Sequence, residues 1–345
     1  MNYSSILRDL VSVMTVAGFE KTSSEKLCDM LSGYSFDSVT QDRVGNLIIR
    51  KCSLEHHPVL MLDAHLDEIG FRVREICGSL VKLATVGGID RVILPASEVT
   101  IHGKRDVHGV FTTPAGDGVP NLDELLVDTA LSADELNELI SIGDGVSFYA
   151  PVTEMINDRL VGRAFDDKAL AAALICALHR VHREDLAFDV CLAISSREEI
   201  GGAGAAYAAL SADIVGAVIC DVNFATAPGI SDDESGKMGG GPMVSLSAVT
   251  DRQMTDMIIN IAAENEISIS PVVESTSTGT NASHVYVAGR GIPCAVVSLP
   301  EAGMHTASEC ISTKDADSLI TLIEKIITSK ELAASLKGRE EAFCV

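Results

Sequence analysis

The chain predicts an α/β fold: a doubly wound, mostly parallel sheet with helices on both faces, plus an inserted small β-barrel-like domain. Two observations carry this reading. Apolar runs of strand length alternate with helical patterns in the first and last parts of the chain, as expected of parallel strands covered on both faces. Between residues 69 and 158 the texture changes to short alternating segments punctuated by Gly and Pro, the pattern of a small all-β unit. At 345 residues there is room for two domains of about 150 residues each. The expected division is a discontinuous α/β domain, residues 1–68 and 159–345, carrying the insertion 69–158.

The elements follow from local pattern. Residues 4–33 read as helices, because Ile6, Leu7, Leu10, Val11 and Met14 keep helical spacing and Leu27, Met30 and Leu31 repeat it. Gly45-Asn46 opens a strand at Leu47-Ile48-Ile49-Arg50, and Val59 to Ala64 is the next. In the insertion, Gly70 to Arg74, Leu80 to Leu83 and Val99 to His102 alternate as strands. Ser132 with Glu135 is the capping-box signature of a helix over 133–141, and Gly143-Asp144-Gly145 turns into the strand Val146-Ser147-Phe148. Helices are then expected from Lys168 to Val181, Gly204 to Leu210, Arg252 to Asn265 and, as the closing element, Asp315 to Thr328. Strands are expected at Val190 to Ile194, Val215 to Cys220 and Cys294 to Leu299.

Composition narrows the class. A hydrophobic fraction of 47% with 22% charged residues is that of a globular chain. With no Trp and only 4% aromatics, the core must be aliphatic. The formal charge of −23, with no basic cluster to offset it, argues against a nucleic-acid partner. Nine scattered cysteines without a C-x-x-C pair fit a reducing compartment. A start without a basic, apolar leader and the lack of any run of about 18 apolar residues point to a cytoplasmic protein without a membrane partner.

Five apolar runs stop at residues that bind metals or move protons. Pro58 to Leu62 leads to His65 and Asp67, and Leu160 to Phe165 leads to Asp166 and Asp167. Phe188 to Ile194 leads to Glu198 and Glu199, Ala217 to Cys220 ends on Asp221, and Pro293 to Leu299 leads towards His305. Ligands of open α/β sheets bind outside the carboxyl ends of the strands. Two histidines and several carboxylates converging there suit two divalent cations.

Each piece also has a plainer explanation. His65 and Asp67 could be a buried structural pair, one of Asp166 and Asp167 could cap the following helix, and Glu198-Glu199 could be a solvated turn. Adjacent carboxylates nonetheless repel unless a cation or a shared proton compensates, and one acid on metal with the other free as a general base resolves this. The glycines after Glu199 do not make a dinucleotide loop, since Tyr207 occupies the third glycine position of G-x-G-x-x-G. His56, His57, His102, His108, His179 and His182 read as structural or surface residues.

Together these segments resemble the co-catalytic metallo-aminopeptidases of the tetrahedral-aminopeptidase and glutamyl-aminopeptidase family (metallopeptidase family 42), some of whose members have been named cellulases or endoglucanases. The resemblance runs through Gly18-Phe19-Glu20, Asp42 to Asn46, Ala64 to Phe71, Val86-Gly87-Gly88, Gly162 to Lys168, Ser196 to Gly201, Gly279-Thr280, Gly291 to Pro293 and Met304 to Glu309. It implies that Asp166 bridges two metals, that His65 and Asp221 complete one site, and that Glu199 and His305 complete the other. It further implies Glu198 as general base and Asp67 as the residue orienting His65. The implied activity is hydrolysis of the N-terminal residue of short peptides by a hydroxide shared between two ions, zinc first, with cobalt or manganese as alternatives. The implied insertion serves assembly into homo-oligomers, often of twelve subunits. Asn281 stands where the family has Asp, and Ala302-Gly303 replaces an Arg-Tyr pair. These departures keep open an N-acyl amino acid deacylase, or a catalytically weakened assembly protein of the same fold.

Overall fold

In the computed structural model, which describes residues 2–112, 121 and 125–343, the alternation resolves in chain order. Helices α1 (Tyr3–Val11) and α2 (Glu20–Leu31) precede strands β1 (Ser38–Gln41), β2 (Leu47–Lys51) and β3 (Val59–His65). Six strands then close a barrel: β4 (Gly70–Cys77), β5 (Leu80–Val86), β6 (Glu98–His102), β7 (Asp106–Phe111), β8 (Leu126–Asp128) and β9 (Gly145–Phe148), with α3 (Ala133–Leu139) before the last. The chain returns through β10 (Thr153–Met155), β11 (Arg159–Gly162), α4 (Phe165–Arg180), β12 (Asp189–Ser195), α5 (Ala203–Ala208) and β13 (Ile214–Phe224). It ends with β14 (Met243–Leu246), α6 (Arg252–Glu264), β15 (Ser270–Val273), α7 (Ala282–Val285), β16 (Cys294–Glu301), β17 (Glu309–Ser312), α8 (Thr313–Ile327) and α9 (Lys330–Phe343).

The main sheet has the order β1-β2-β12-β3-β13-β16-β14-β15, and its four central strands, β12, β3, β13 and β16, are mutually parallel. On both flanks the direction reverses, at β2 and at β14. Side chains alternate between two apolar layers with a period of two. Leu60, Leu62, Leu192, Ile194, Val218 and Val297 face the layer shared with α1, α4, α6, α8 and α9. Met61, Cys191, Ala193, Ile219 and Val296 face α5 and α7. Helix α4 is buried almost from end to end, which its Ala-rich, all-round apolar sequence permits. Lys51 closes its far end, donating from Nζ to the carbonyls of Leu178 at 2.7 Å and Val181 at 2.5 Å. An ammonium there satisfies carbonyls that have no partner within the helix and meets the negative end of its dipole.

The barrel has its own core. Phe71 meets Phe111 and Phe148 edge-on at centroid distances of 5.2 and 5.3 Å, among Val81, Val99, Ile101, Val127 and Val146. Such aromatic contacts contribute about 0.5–1.5 kcal/mol beyond the area they bury. The capping box of α3 is reciprocal: the Glu135 carboxylate accepts from the Ser132 N–H, and the Ser132 hydroxyl accepts from the Glu135 N–H.

Several elements lie outside the sequence expectation. Strands β1, β10 and β15 sit at sheet edges and are largely exposed or half-buried, so they lack an alternating apolar signal. The helix expected to close the chain is followed by α9, whose Leu332, Ala333 and Leu336 join the main core. Eight cysteines are free thiols, and Cys344 lies outside the described residues. No described helix is long and apolar enough to cross a membrane.

One buried ion cluster joins three elements beside the strand ends. Glu68 follows β3, is 2% exposed, and accepts from Arg163, from Lys168 Nζ at 3.1 Å and from the Thr15 N–H at 2.8 Å. Arg163 and Lys168 also donate to the carbonyls of Val11 and Val13, which ties the start of α4 to the chain after α1. Burial pushes the Glu68 carboxyl up, but the two cations together outweigh it and hold it at about 2. Removing one member of a buried cluster leaves the others unpaired, so Glu68→Gln should destabilise the fold by about 3–5 kcal/mol at pH 7. A folded-state value below the ordinary 4.5 gives stability that is present above that pH and lost as the pH falls towards 2. The gap between wild-type and variant urea midpoints should therefore be wide at pH 7 and narrow at pH 3.

Candidate metal centre

The parallel strands lie side by side, so the segments leaving their carboxyl ends meet. His65 is the last residue of β3, Glu198 and Glu199 follow β12, Asp221 lies on β13, and His305 occupies the turn between β16 and β17. Asp166 opens α4 beneath them. Two three-residue groups result, each with its potential ligand atoms within 4.8 Å of one another: His65, Asp166 and Asp221, and Asp166, Glu199 and His305. Asp166 is common to both. Its Oδ1 lies 2.8 Å from His65 Nε2 and its Oδ2 lies 3.2 Å from His305 Nε2. Asp221 Oδ1 is 3.8 Å from His65 Nε2, and Glu199 Oε2 is 3.5 Å from His305 Nε2.

The hydrogen bonds behind these groups fix their orientation. His65 Nδ1 lies 2.9 Å from the main-chain carbonyl of Asp67; a carbonyl only accepts, so Nδ1 carries the proton and Nε2 faces the site. The Asp67 contact to His65 thus comes from its backbone, with its carboxylate 3.7 Å away. That carboxylate does something else: it accepts from the backbone N–H groups of Glu198 at 2.9 Å and Glu199 at 3.1 Å. The two preceding amides are held as well. Ser196 N–H donates to Asn46 Oδ1 at 2.8 Å, and Arg197 N–H donates to Glu20 Oε1 at 3.0 Å. Four successive amides are thus pinned by three buried side chains from three separate segments, two of which, at Glu20 and Asn46, carried no role in the sequence reading.

Neither Asp166 nor Asp167 caps α4. Glu309 on β17 accepts from the N–H groups of Phe165 at 2.7 Å and Asp166 at 3.3 Å, while Asp167 accepts from the His65 N–H at 3.0 Å. The barrel also reaches the centre. A Cβ at Gly87 would stand 3.3 Å from Glu199 Oε2, and one at Gly88 would stand 3.2 Å from His305 Nδ1, so the loop after β5 lies directly on the second group.

The donor set matches divalent cations. Burial and the neighbouring Asp166 push Glu199 up to about 10, and burial with nearby acids pushes Asp221 well above the usual carboxylate range. Glu199 Oε1 is buried without a hydrogen-bond partner. Burial also works against ionisation of Asp166, yet hydrogen bonds from His305 and His65 outweigh it and hold that carboxyl low. Carboxylates crowded in this way gain from a shared positive charge, and imidazole with carboxylate is the ligand mixture of zinc, cobalt and manganese sites.

The family profile of M42 glutamyl aminopeptidases matches residues 45–322. The chain belongs to that family. This M42 chain is 26% identical to the lysyl aminopeptidase of Pyrococcus furiosus over 93% of its own length and 96% of the relative's. Its fold superposes with a TM-score of 0.90 on the aminopeptidase APDkam598 from the archaeon Desulfurococcus kamchatkensis, at 24% identity and 97% coverage of each chain. It superposes at 0.82 on the Pyrococcus horikoshii TET1 peptidase, which can assemble into a tetrahedron or a large octahedral shell, at 24% identity and coverage of 94% and 99%. The M42 chain is a peptidase, a metal-dependent aminopeptidase.

Asn281 and Gly303, where the resemblance leads one to expect other residues, each have a local setting that suits the residue present. Asn281 donates from Nδ2 to Asp63 Oδ2 at 2.9 Å and to Ser195 Oγ at 3.0 Å. An aspartate there would set two carboxylates face to face at a fully buried position. Gly303 has φ +81, and a Cβ on it would stand 2.6 Å from the Ser308 carbonyl oxygen, so the tight turn presenting His305 excludes a tyrosine. Asn281→Asp should therefore lose stability in a thermal melt, and Asp63→Asn in the same chain should restore most of it. A double variant as unstable as the single one would remove this explanation.

Proposed function

We propose that this enzyme removes the N-terminal residue of short peptides with two divalent ions, one held by His65, Asp166 and Asp221, the other by Asp166, Glu199 and His305, and with Glu198 as general base. The observation that carries this reading is the placement of Asp166, whose two oxygens each meet a different histidine at 2.8 and 3.2 Å. When bound, such a metal pair supplies Lewis acidity, polarising a peptide carbonyl and making a water acidic enough to lose its proton near neutral pH. Glu198 belongs to neither ligand group, and its backbone is fixed by Asp67. Burial raises its carboxyl, which suits a base that must accept a proton near neutral pH. It takes the proton of the water and passes it to the leaving amine.

Zinc is the first candidate, with cobalt and manganese fitting the same donors. By extension from assembling relatives, one of them solved as a dodecamer, this chain forms homo-oligomers, with a dodecamer as the first candidate and residues 69–158 as the assembly domain. A monomeric mass by light scattering would remove that extension. An N-acyl amino acid deacylase would use the same metals, and a panel of aminoacyl anilides against acyl-amino acids separates the two.

Glu198→Gln should keep its full metal content and lose about 10²–10⁴ of turnover. Asp166→Ala should lose both ions, read by elemental analysis of the purified protein. Because Glu199, pushed up to about 10, must give up its proton to ligate, metal binding should release protons. Apparent affinity should then rise between pH 6 and pH 8, by about tenfold per unit for each proton released. Titration calorimetry in buffers of different ionisation enthalpy counts those protons.

A further inference from the structure

The face of the main sheet that looks towards α5 and α7 changes character at the level of the metal centre. Up to Ile219 on β13 and Val296 on β16 it is apolar. Two residues further, Asp221 pairs with Ser298, and side chains two apart on a strand share a face. Ser298 is fully buried, yet its Oγ has no hydrogen-bond partner among the described residues. Asn223 comes next on that face, about 6.6 Å beyond Asp221 along β13. Its Nδ2 donates to Glu274 Oε1 at 3.0 Å, and the Ser245 hydroxyl on β14 donates to the same oxygen at 3.1 Å. The other oxygen, Oε2, has no partner among the described residues. Glu274 itself is half-buried, and Ser275, Thr276 and Ser277 after it are exposed. A carboxylate held in this way, with one oxygen met twice and the other left over, is set to accept from a donor that the chain does not supply. Leaving such an acceptor unmet costs about 1–3 kcal/mol.

The segment that begins at Glu274 borders the centre at both ends. Asn223, its partner, lies two residues after Asp221, and at the far end Asn281 donates to Asp63, two residues before His65. Strand order then gives a direction. Glu198 follows β12, His65 ends β3, Asp221 and Asn223 lie on β13, and Ser245 lies on β14, in the order β12-β3-β13-β16-β14. In the reaction above, Glu198 hands its proton to the leaving amine, so the residue after the scissile bond lies on the β12 side. The first residue of the peptide extends the other way, across β13 towards Asn223 and Glu274. The step from Asp221 to Asn223 is of the order of a four-carbon stem, and lysine carries an ammonium with three donors at the end of one.

We propose that Glu274 binds the side-chain ammonium of a lysine at the first position of the substrate, so that the enzyme prefers peptides with N-terminal lysine. This rests on the aminopeptidase reading and names its substrate class. The test uses the metal-loaded enzyme with lysyl and norleucyl anilides, since norleucine has the same stem without the charge. Wild type should favour the lysyl substrate by ~10-fold in kcat/KM, the size expected of one hydrogen bond to a charged group. Glu274→Gln keeps an oxygen that can accept from Asn223 and Ser245, and it should bring the ratio towards one, mainly through the KM of the lysyl substrate. Wild type without a preference for lysine, or a ratio unchanged in Glu274→Gln through equal loss of both substrates or of neither, overturns the role of Glu274 alone. Failure of wild type to cleave any member of an anilide panel covering the other N-terminal residues overturns the aminopeptidase reading and this proposal with it.

Discussion

Carboxylates do not gather in a buried site of their own accord. Each must give up hydration and accept the field of its neighbours, so it reaches the centre only if the main chain carrying it is fixed. Here that constraint is met through amides. The turn from Ser196 to Glu199 spends its four N–H groups on Asn46, Glu20 and Asp67, which reach it from the start of β2, the start of α2 and the end of β3. Glu309 performs the same service for the segment bearing Asp166. Acids thus hold acids in place, Asp67 and Glu309 accepting from the backbone that carries Glu198, Glu199 and Asp166. The Glu68 cluster lies next to Asp67 and anchors the same strand end to the opening of α4.

The central fold was legible because its signal is strong and local. Runs such as Leu60 to Leu62 and Leu192 to Ile194 are buried on both faces, and a strand buried in that way leaves a continuous apolar stretch in the sequence. The edges were not. Strand β10 is exposed along its length, and among the described residues β15 pairs only with the neighbouring strand β14, so tertiary pairing rather than composition makes them strands. Helix α9 was missed because the pattern before it already resembled a terminal helix.

For the site, the ligand types stood out at the ends of apolar runs, and the structure brings His65, Asp166, Glu199, Asp221 and His305 together in two groups that share Asp166; which residues would share an ion came only from the family resemblance. What stayed hidden was the supporting layer. Glu20 and Asn46 act more than 100 positions away from the amides they hold, and nothing in their local pattern marks a long-range partner. Asn281 read as a departure until Asp63 appeared beside it; only the pair shows why an amide is required there.

The contact of Gly87 and Gly88 with Glu199 and His305 changes how the barrel should be regarded. Through the loop after β5 it walls one side of the candidate metal centre as well as being an appendage. An engineer seeking a smaller catalyst by excising β4 to β9 would open the half of the chamber containing His305 to bulk water. The size of the enzyme is in this sense set by its chemistry.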